Sequence, residues 1–212
     1  MTKTISYISY GGGEESYECL TQEEFPGGAN ANNSTFAIET RKASKQKNDV
    51  PFYLEIGASH YKNQNDTYVL EKEHGWSGIS IEIEEGLSKE FNENRSNICI
   101  NADAISVDWL HILEKYNAPD RIDFLQIDID ITPRNANLLA LINLPLSRYR
   151  FNSIIIEHSV GMDYTFEALR AAQRYILTSL NYRLVHSGHV DDWWVDETSF
   201  DMMQTVQITS MR

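Results

Sequence analysis

The chain has 212 residues, enough for one domain or for one domain with an extension. It carries 31 acidic and 18 basic side chains, a formal charge of −13, and the acidic excess runs through the whole chain. No basic patch is available to follow a phosphate backbone, which excludes nucleic acid as the expected main partner. Cys19 and Cys99 are too few for a disulfide framework, and neither Met1–Tyr10 nor any other segment has the apolar run of a signal peptide or membrane span. We therefore expect a soluble, cytoplasmic protein.

The first fifty residues differ in composition from the rest. Gly11-Gly12-Gly13 and an asparagine-rich stretch at residues 29–33 are typical of turns and loops. The pattern also allows a short helix over Ser34–Ala43, with Ser34 as its N-cap. We interpret residues 1–50 as an arm or cap on a main domain that spans residues 51–212.

From Pro51 onward, short apolar runs alternate with amphipathic segments. The apolar runs predict strands over Phe52–Ile56, Ile79–Ile83, Asn97–Ala102, Arg121–Ile127, Ser153–Glu157, Tyr182–His186 and Gln204–Thr209. The segments between them predict helices over Asp66–His74, Glu84–Asn94, Val107–Asn117, Arg134–Ile142 and Tyr164–Leu180. Apolar strands separated by helices are typical of a parallel sheet covered on both faces. The predicted fold class is therefore α/β.

Ligands of such a sheet bind beyond the carboxyl ends of its strands. A carboxylate stands at the end of each of the first five predicted strands: Glu55, Glu82, Asp103, Asp128 and Glu157. Gly57 allows the first turn to approach a ligand closely, Glu82 is placed to accept hydrogen bonds from ribose hydroxyls, and Asp103 can accept one from an adenine amine. The pattern predicts an adenosine ligand with little negative charge. The acidic first turn of a helix is the alternative interpretation of Glu82.

One stretch of the chain supports a more specific interpretation. It comprises Tyr53-Leu-Glu-Ile-Gly-Ala58, Asn65-Asp-Thr-Tyr-Val-Leu-Glu71, Gly75-Trp-Ser-Gly78 and Ile81-Glu82, followed by Asp103-Ala104, Ile122–Asp128, Ile154–His158 and Asp192-Trp-Trp-Val195. These residues resemble the FkbM-type S-adenosylmethionine-dependent methyltransferases. The resemblance implies a Rossmann-like, doubly wound, mostly parallel sheet of seven strands, the last antiparallel, with residues 1–50 as an N-terminal extension.

The resemblance also implies where a cofactor binds. Carried over by position, it assigns S-adenosylmethionine to Glu55, Gly57, Ala58, Ser59, Glu82, Ile83, Asp103, Ala104 and Asp128. Most members of the family methylate hydroxyls of sugars and secondary metabolites, which implies a saccharide or small-molecule acceptor. The chain departs from the family pattern at Ser59-His60-Tyr61 and at Asp128-Ile-Asp130-Ile131, where the family usually has Asp-Gly and Asp-x-Glu-Gly.

Transfer of a methyl group to a hydroxyl requires removal of a proton. His158, at the end of the fifth strand, is the first candidate for a general base, and a histidine hydrogen-bonded at a strand end is its structural alternative. Asp128 and Asp130 are the other candidate catalytic residues. Asp128, Asp130 and Glu157 could instead bind magnesium, which would lower the pKa of a bound hydroxyl.

Two other functions stay open, as does an oligomeric state. Asp128-Ile129-Asp130 is also an Asp-x-Asp motif, which is typical of metal-dependent glycosyltransferases. The altered Ser59-His60-Tyr61 turn and the N-terminal extension would suit a non-catalytic interaction module with a methyltransferase fold. Near the C-terminus, we expect a surface loop around His186, His189 and Asp191-Asp192, with one of Trp193 and Trp194 stacked on a sugar and the other in the core.

Overall fold

A computed structural model describes residues 3–8, 14–19, 29–63, 65–129 and 133–200. The chain begins with an antiparallel pair of strands, β1 (Lys3–Ile8) and β2 (Glu14–Cys19), followed by helix α1 (Ala29–Ala43). The predicted helix over Ser34–Ala43 is confirmed, but it begins earlier. Ser34 is therefore not its N-cap, and its hydroxyl donates instead to the Asp66 carbonyl at 2.6 Å.

The main sheet has seven strands, and all but one are parallel. They are β3 (Phe52–Ile56), β4 (Ser77–Glu82), β5 (Ile98–Asn101), β6 (Arg121–Ile127), β7 (Arg150–Glu157), β8 (Tyr182–Ser187) and β9 (Asp191–Asp196). Their order is β5-β4-β3-β6-β7-β9-β8, and β9 runs antiparallel to both neighbours. The predicted α/β fold with a mostly parallel sheet is confirmed. The strand order reverses between β3 and β6, which is where a ligand is expected.

Helices cover both faces of the sheet. They are α2 (Tyr68–His74), α3 (Glu85–Asn94), α4 (Trp109–Lys115), α5 (Ala136–Asn143) and α6 (Glu167–Ser179). Alternate residues of the strands point to opposite faces, so the core forms two main apolar clusters. One contains Leu54 with Leu113, Leu141 and Leu177 from α4, α5 and α6. No helix in the described ranges is long and apolar enough to cross a membrane.

Helix α1 packs on the sheet. Phe36 and Ala37 are buried in the second cluster with Phe124 and Ile155, which lie on the central strands. This helix therefore covers the sheet in the same way as the helices that follow it. The division of the chain at residue 50 stays a prediction.

The C-terminal part differs from the sequence prediction. The segment expected to form a surface loop is strand β9, while the predicted strand Gln204–Thr209 lies outside the described residues. Asp192 and Asp196 of β9 are buried because arginines surround them. Asp192 pairs with Arg170 and Arg174, and Asp196 pairs with arginines of β6 and β7. Carboxylates that looked solvated in the sequence are thus part of the interior.

A buried arginine joins the loop after β3 to the end of α3. The side chain of Arg95 is fully buried, and its Nε donates to Glu71 Oε2 at 2.6 Å. The two terminal nitrogens donate to Asn65 Oδ1 at 3.0 Å, to Thr67 at 3.2 Å and to the Tyr53 hydroxyl at 3.2 Å. One guanidinium therefore fixes the loop, the start of α2 and strand β3.

We expect Arg95→Met to destabilise the fold by about 3–5 kcal/mol. Methionine can fill much of the space, but the Glu71 carboxylate and the acceptors of the loop lose their donor. Urea unfolding measures the change. Arg148→Met is the matched control, since Arg148 forms an exposed pair with Asp120 and should change stability little. Equal stability of both variants would contradict this role for Arg95.

Candidate functional site

The turn after β3 lies against the turn after β6. Gly57 has a φ of +91°, and a Cβ at this position would lie 1.9 Å from the Asp128 carbonyl oxygen. The amides of Gly57 and Ala58 both donate to the carbonyl of Ile81 in β4, at 3.0 and 3.1 Å. Only glycine combines this conformation with so close an approach. The carboxyl ends of the parallel strands form one edge of the sheet, which we call the carboxyl edge. Gly57 therefore sets the shape of this edge at the point where the strand order reverses.

Glu82 joins the turns after β3 and β4. Its Oε2 accepts a hydrogen bond from the Ser59 amide at 2.8 Å, and its Oε1 accepts one from the Glu84 amide at 2.9 Å. Ser59 has a left-handed backbone with φ of +52°, in the turn where the chain departs from the family pattern. Each carboxylate oxygen keeps a lone pair for a further donor. The carboxylate is thus held in place and can still bind hydroxyl groups.

Glu55 and Ala58 support this turn from inside the protein. Glu55 is buried, and its Oε2 accepts from Ser80 Oγ at 2.6 Å and from Thr67 Oγ1 at 3.0 Å. Burial raises the pKa of Glu55, while these hydrogen bonds oppose the rise. Ala58 packs with Phe91 of α3 in a small buried cluster. Both predicted cofactor residues therefore lie beneath the surface of the turn.

The residues predicted to hold the adenine lie on the β5 side of Glu82. Asp103 is half-buried, and its Oδ1 accepts from the Ile105 amide at 3.1 Å. The carbonyl of the buried Ala104 accepts from Trp109 Nε1 at 3.0 Å. Ile83, which follows Glu82, is exposed. The structure thus brings the predicted ribose and adenine residues to neighbouring turns.

On the other side of Gly57, three carboxyl groups form a row across β6, β7 and β9. Ile127 of β6 is paired with Ile156 of β7, so the next residues, Asp128 and Glu157, lie side by side. Glu157 is in turn paired with Asp191 of β9. We call Asp128, Glu157 and Asp191 the acidic row. Asp128 is exposed, Asp191 is half-buried and Glu157 is buried.

Each member of the acidic row has a raised pKa. Loss of hydration is the largest cause, and the charge of neighbouring carboxylates adds to it. The pKa rises to about 6 for Asp128, to about 7 for Glu157 and to about 7 for Asp191. A hydrogen bond between Asp128 and Glu157 also raises the pKa of Glu157. Near neutral pH, this part of the edge can therefore both bind and release protons.

A fourth carboxyl group lies beside the acidic row. Asp66 is buried in the loop before α2, where its Oδ2 accepts from Asn33 Nδ2 of α1 at 3.0 Å. Burial raises the pKa of Asp66 to about 7. Hydrogen bonds with Asn33 and Gln126 oppose the rise, and the charge of Glu55 adds to it. The sequence analysis gave Asp66 no role and placed Asp191 in a surface loop. Asp66 lies within the conspicuous Asn65-Asp-Thr stretch but follows no strand directly.

His158 has the environment of a structural residue. It is buried, its Nδ1 accepts from the Val160 amide at 3.1 Å, and burial lowers its pKa to about 4. Its Nε2 lies 3.6 Å from Asp192 Oδ1. The burial of the ring and the use of Nδ1 as an acceptor favour a histidine hydrogen-bonded at a strand end over a general base.

The predicted magnesium site and the predicted stacking of a tryptophan on a sugar find no support in the described residues. Within the described ranges, no group of three or more histidine, cysteine or acidic side chains could hold a metal, and the predicted ligand Asp130 lies outside them. Trp194 is buried in the core. Trp193 packs against Phe36 and His186, with ring centroids 4.9 and 4.8 Å apart, rather than standing free for a sugar.

Comparison with known proteins identifies the family. A family model described as "Methyltransferase FkbM domain" matches residues 6–184 of the chain. The chain belongs to the FkbM methyltransferase family. This membership makes it an S-adenosylmethionine-dependent methyltransferase. The match begins well before residue 50 and ends before Asp192-Trp-Trp-Val195, so it differs in extent from the resemblance seen in the sequence. No curated protein matches the chain significantly.

Solved structures show the same fold at low sequence identity. A putative caffeoyl-CoA O-methyltransferase from Staphylococcus aureus is 13% identical, with a TM-score of 0.50 over 82% of this chain and 87% of that one. A TehB-like SAM-dependent methyltransferase from Corynebacterium glutamicum is 9% identical, with a TM-score of 0.51 over 78% and 88%. A putative O-methyltransferase from Klebsiella pneumoniae is 16% identical, with a TM-score of 0.50 over 81% and 82%. At these identities the likeness supports the fold alone.

We expect Gly57→Ala to lower stability and to disrupt ligand binding at the edge, because the added Cβ would overlap the Asp128 carbonyl. The cost should be at least about 2 kcal/mol, measured by thermal or urea unfolding. Gly86→Ala is the matched control. Gly86 lies in α3 with no atom within 4 Å of an added Cβ, so the change should be neutral or slightly stabilising. Equal effects of the two substitutions would contradict the assigned role of Gly57.

We expect Asp66→Asn to stabilise the protein in a pH-dependent way. The folded-state pKa of Asp66, about 7, lies above its ordinary value of 3.8, so the wild type loses stability as the pH rises from about 4 to 7. The charged groups that act with Asp66 (Glu55, Asp128 and Asp191) are all acidic and disfavour its ionisation. The variant should gain about 1–3 kcal/mol near pH 8 and almost nothing near pH 4. Urea unfolding at both pH values tests this, and a gain that is the same at both would contradict it.

Proposed function

We propose that this protein transfers the methyl group of S-adenosylmethionine to a hydroxyl of a sugar or another small molecule. The observation that carries the proposal is the Glu82 carboxylate, held by the amides of Ser59 and Glu84 beside the Gly57 turn. Family membership supports the cofactor. The net charge of −13 supports a small acceptor rather than a nucleic acid.

The residues at the edge fit the cofactor. Glu82 presents fixed acceptors for the two ribose hydroxyls, and Asp103 lies one strand further along, where it can accept from the adenine amine. The close approach of Gly57 to Asp128 brings the turns after β3 and β6 together, beside the place proposed for the methionine part. The acidic row, beyond Gly57, suits a cationic sulfonium. The edge therefore divides into an adenosine side and a methyl-transfer side.

S-adenosylmethionine supplies a methyl group activated by its positive sulfur. The protein has to place the acceptor oxygen in line with that group and to take the proton that the oxygen loses as the carbon–sulfur bond breaks. Asp128 is the best-placed proton acceptor, because it follows β6 next to the Gly57 turn and is an exposed residue. Glu157 is hydrogen-bonded to it, so the proton can be shared between the two.

Asp128 is preferred to His158, the other predicted base, because the His158 ring is buried with its Nδ1 already used. The proposal includes no step through magnesium, since the described residues do not bring three potential ligands together. Of the two alternative functions, a glycosyltransferase activity would leave Glu82 without a role. The non-catalytic module stays as the second candidate, because the left-handed Ser59 replaces the usual family turn.

We expect Glu82→Ala to weaken binding of S-adenosylhomocysteine by about 1–3 kcal/mol, measured by titration calorimetry. The variant removes the acceptor for the ribose and releases the amides of Ser59 and Glu84. Glu85→Ala is the matched control, since Glu85 is an exposed acid of the same turn and its replacement should leave the affinity unchanged. Unchanged affinity in Glu82→Ala would remove the ribose assignment. No binding to the wild type would favour the non-catalytic module.

A further inference from the structure

The side-chain amide of Asn137 joins the turn after β6 to the end of β7. Asn137 is a buried residue in the first turn of α5. Its Oδ1 accepts a hydrogen bond from the Ile129 amide at 2.8 Å, and its Nδ2 donates to the Ile129 carbonyl at 3.3 Å. The same Nδ2 donates to Glu157 Oε2 at 3.2 Å. A side-chain amide has both donors and an acceptor, and Asn137 uses them on two neighbouring strand ends.

These bonds extend the backbone pairing of β6 beyond the last residue of the strand. The pairing of β6 with β7 ends at Ile127, and the amide of Asp128 still donates to the Ile56 carbonyl of β3 at 2.9 Å. The next residue, Ile129, has its amide and its carbonyl bonded to Asn137, as a neighbouring strand would bond them. The backbone of Asp128 is therefore held on both sides, by β3 before it and by Asn137 after it.

The carboxylate of Glu157 is held by side chains on both of its oxygens. Its Oε2 accepts from Asn137, and its Oε1 accepts from Ser159 Oγ at 2.9 Å. Glu157 lies beside Asp128 across the paired ends of β6 and β7. The place of the Asp128 backbone and the orientation of the Glu157 carboxylate thus depend on one and the same amide.

We propose that Asn137 is a positioning residue for methyl transfer, which holds the carboxyl groups of Asp128 and Glu157 so that they face the methyl group of the cofactor. The inference rests on the proposed function and adds the residue that fixes the proton acceptor. Asn137 touches neither cofactor nor acceptor in this account and acts through the two carboxyl groups. Transfer in line with a carbon–sulfur bond requires such support, because small displacements of the proton acceptor slow the reaction.

The test compares two cofactor analogues that differ at the place of the methyl group. S-adenosylhomocysteine has a neutral sulfur there, whereas in sinefungin a carbon that bears an ammonium group replaces the methylated sulfur. An ammonium group donates hydrogen bonds to a carboxylate that faces it. The ratio of the two dissociation constants, measured by titration calorimetry near neutral pH, therefore reports whether a carboxylate faces the methyl position. We expect the wild type to prefer sinefungin by about tenfold or more, as hydrogen bonds to charged groups imply.

Asn137→Ala should lose most of this preference while it binds S-adenosylhomocysteine as the wild type does. Asp128→Asn should also reduce the preference, because it removes a charge that faces the ammonium group. In the double variant the preference should fall by less than the product of the two single effects, since Asn137 acts through Asp128. A residue that only stabilises the fold would not show this dependence.

Asn92→Ala is the matched control, because Asn92 of α3 binds one backbone residue in the same way. Its Oδ1 accepts from the Cys99 amide at 2.9 Å, and its Nδ2 donates to the Cys99 carbonyl at 2.8 Å. Cys99 lies in β5, which two other strands separate from β6. The control variant should therefore keep the preference for sinefungin.

The inference is wrong if a wild type that binds S-adenosylhomocysteine shows no preference for sinefungin, if the preference survives in Asn137→Ala, or if that variant loses affinity for both analogues equally. Should Asn137→Ala not fold, a crystal structure of the wild type with sinefungin decides. Its ammonium group should lie within hydrogen-bond distance of Asp128 or Glu157 while Asn137 keeps its bonds to Ile129, and an ammonium group that contacts neither carboxylate would contradict the inference. A wild type that binds neither analogue would instead overturn the proposed function, which the first titration detects.

Discussion

The arrangement of the carboxyl edge depends on the buried guanidinium of Arg95. The loop between β3 and α2 carries Gly57, Ser59 and Asp66, and a loop of this length would otherwise be free to adopt several conformations. Arg95 binds it through Asn65 and the backbone of Tyr61 and Thr67, and the pair with Glu71 fixes the arginine in turn. Residues far from any ligand thereby determine where the ligand-binding groups stand.

The edge combines two sides with different physical character. On the proposed adenosine side, Glu82 is satisfied by backbone amides and keeps free lone pairs, so it can bind hydroxyls without much cost in stability. On the proposed methyl-transfer side, the carboxyl groups of Asp66 and the acidic row act on one another electrostatically, and no basic side chain in the described ranges forms an ion pair with them. Such a cluster disfavours the folded protein near neutral pH, and a positively charged ligand would relieve it.

The sequence predicted the strands of the sheet well, because buried parallel strands are apolar along their length and end at glycine or acidic residues. It failed at β9, because Asp192 and Asp196 look like surface residues until their arginine partners, distant in sequence, are placed. Glu82 and Asp103 could be proposed from the sequence because they lie at the carboxyl ends of predicted strands. Asp66 and Asp191 could not, since their proximity depends on loop conformation and on the insertion of β9 between its neighbours. The burial of His158 was equally invisible, as it results from packing rather than from local sequence.

A crystal structure of the protein with S-adenosylhomocysteine tests the central claim most directly. This account predicts that the ligand lies across the Gly57 turn, with both ribose hydroxyls within hydrogen-bond distance of Glu82 and its sulfur facing Asp128. The amides of Ser59 and Glu84 should keep their bonds to Glu82. A ligand bound elsewhere, or a Glu82 carboxylate that contacts only those two amides, would contradict it.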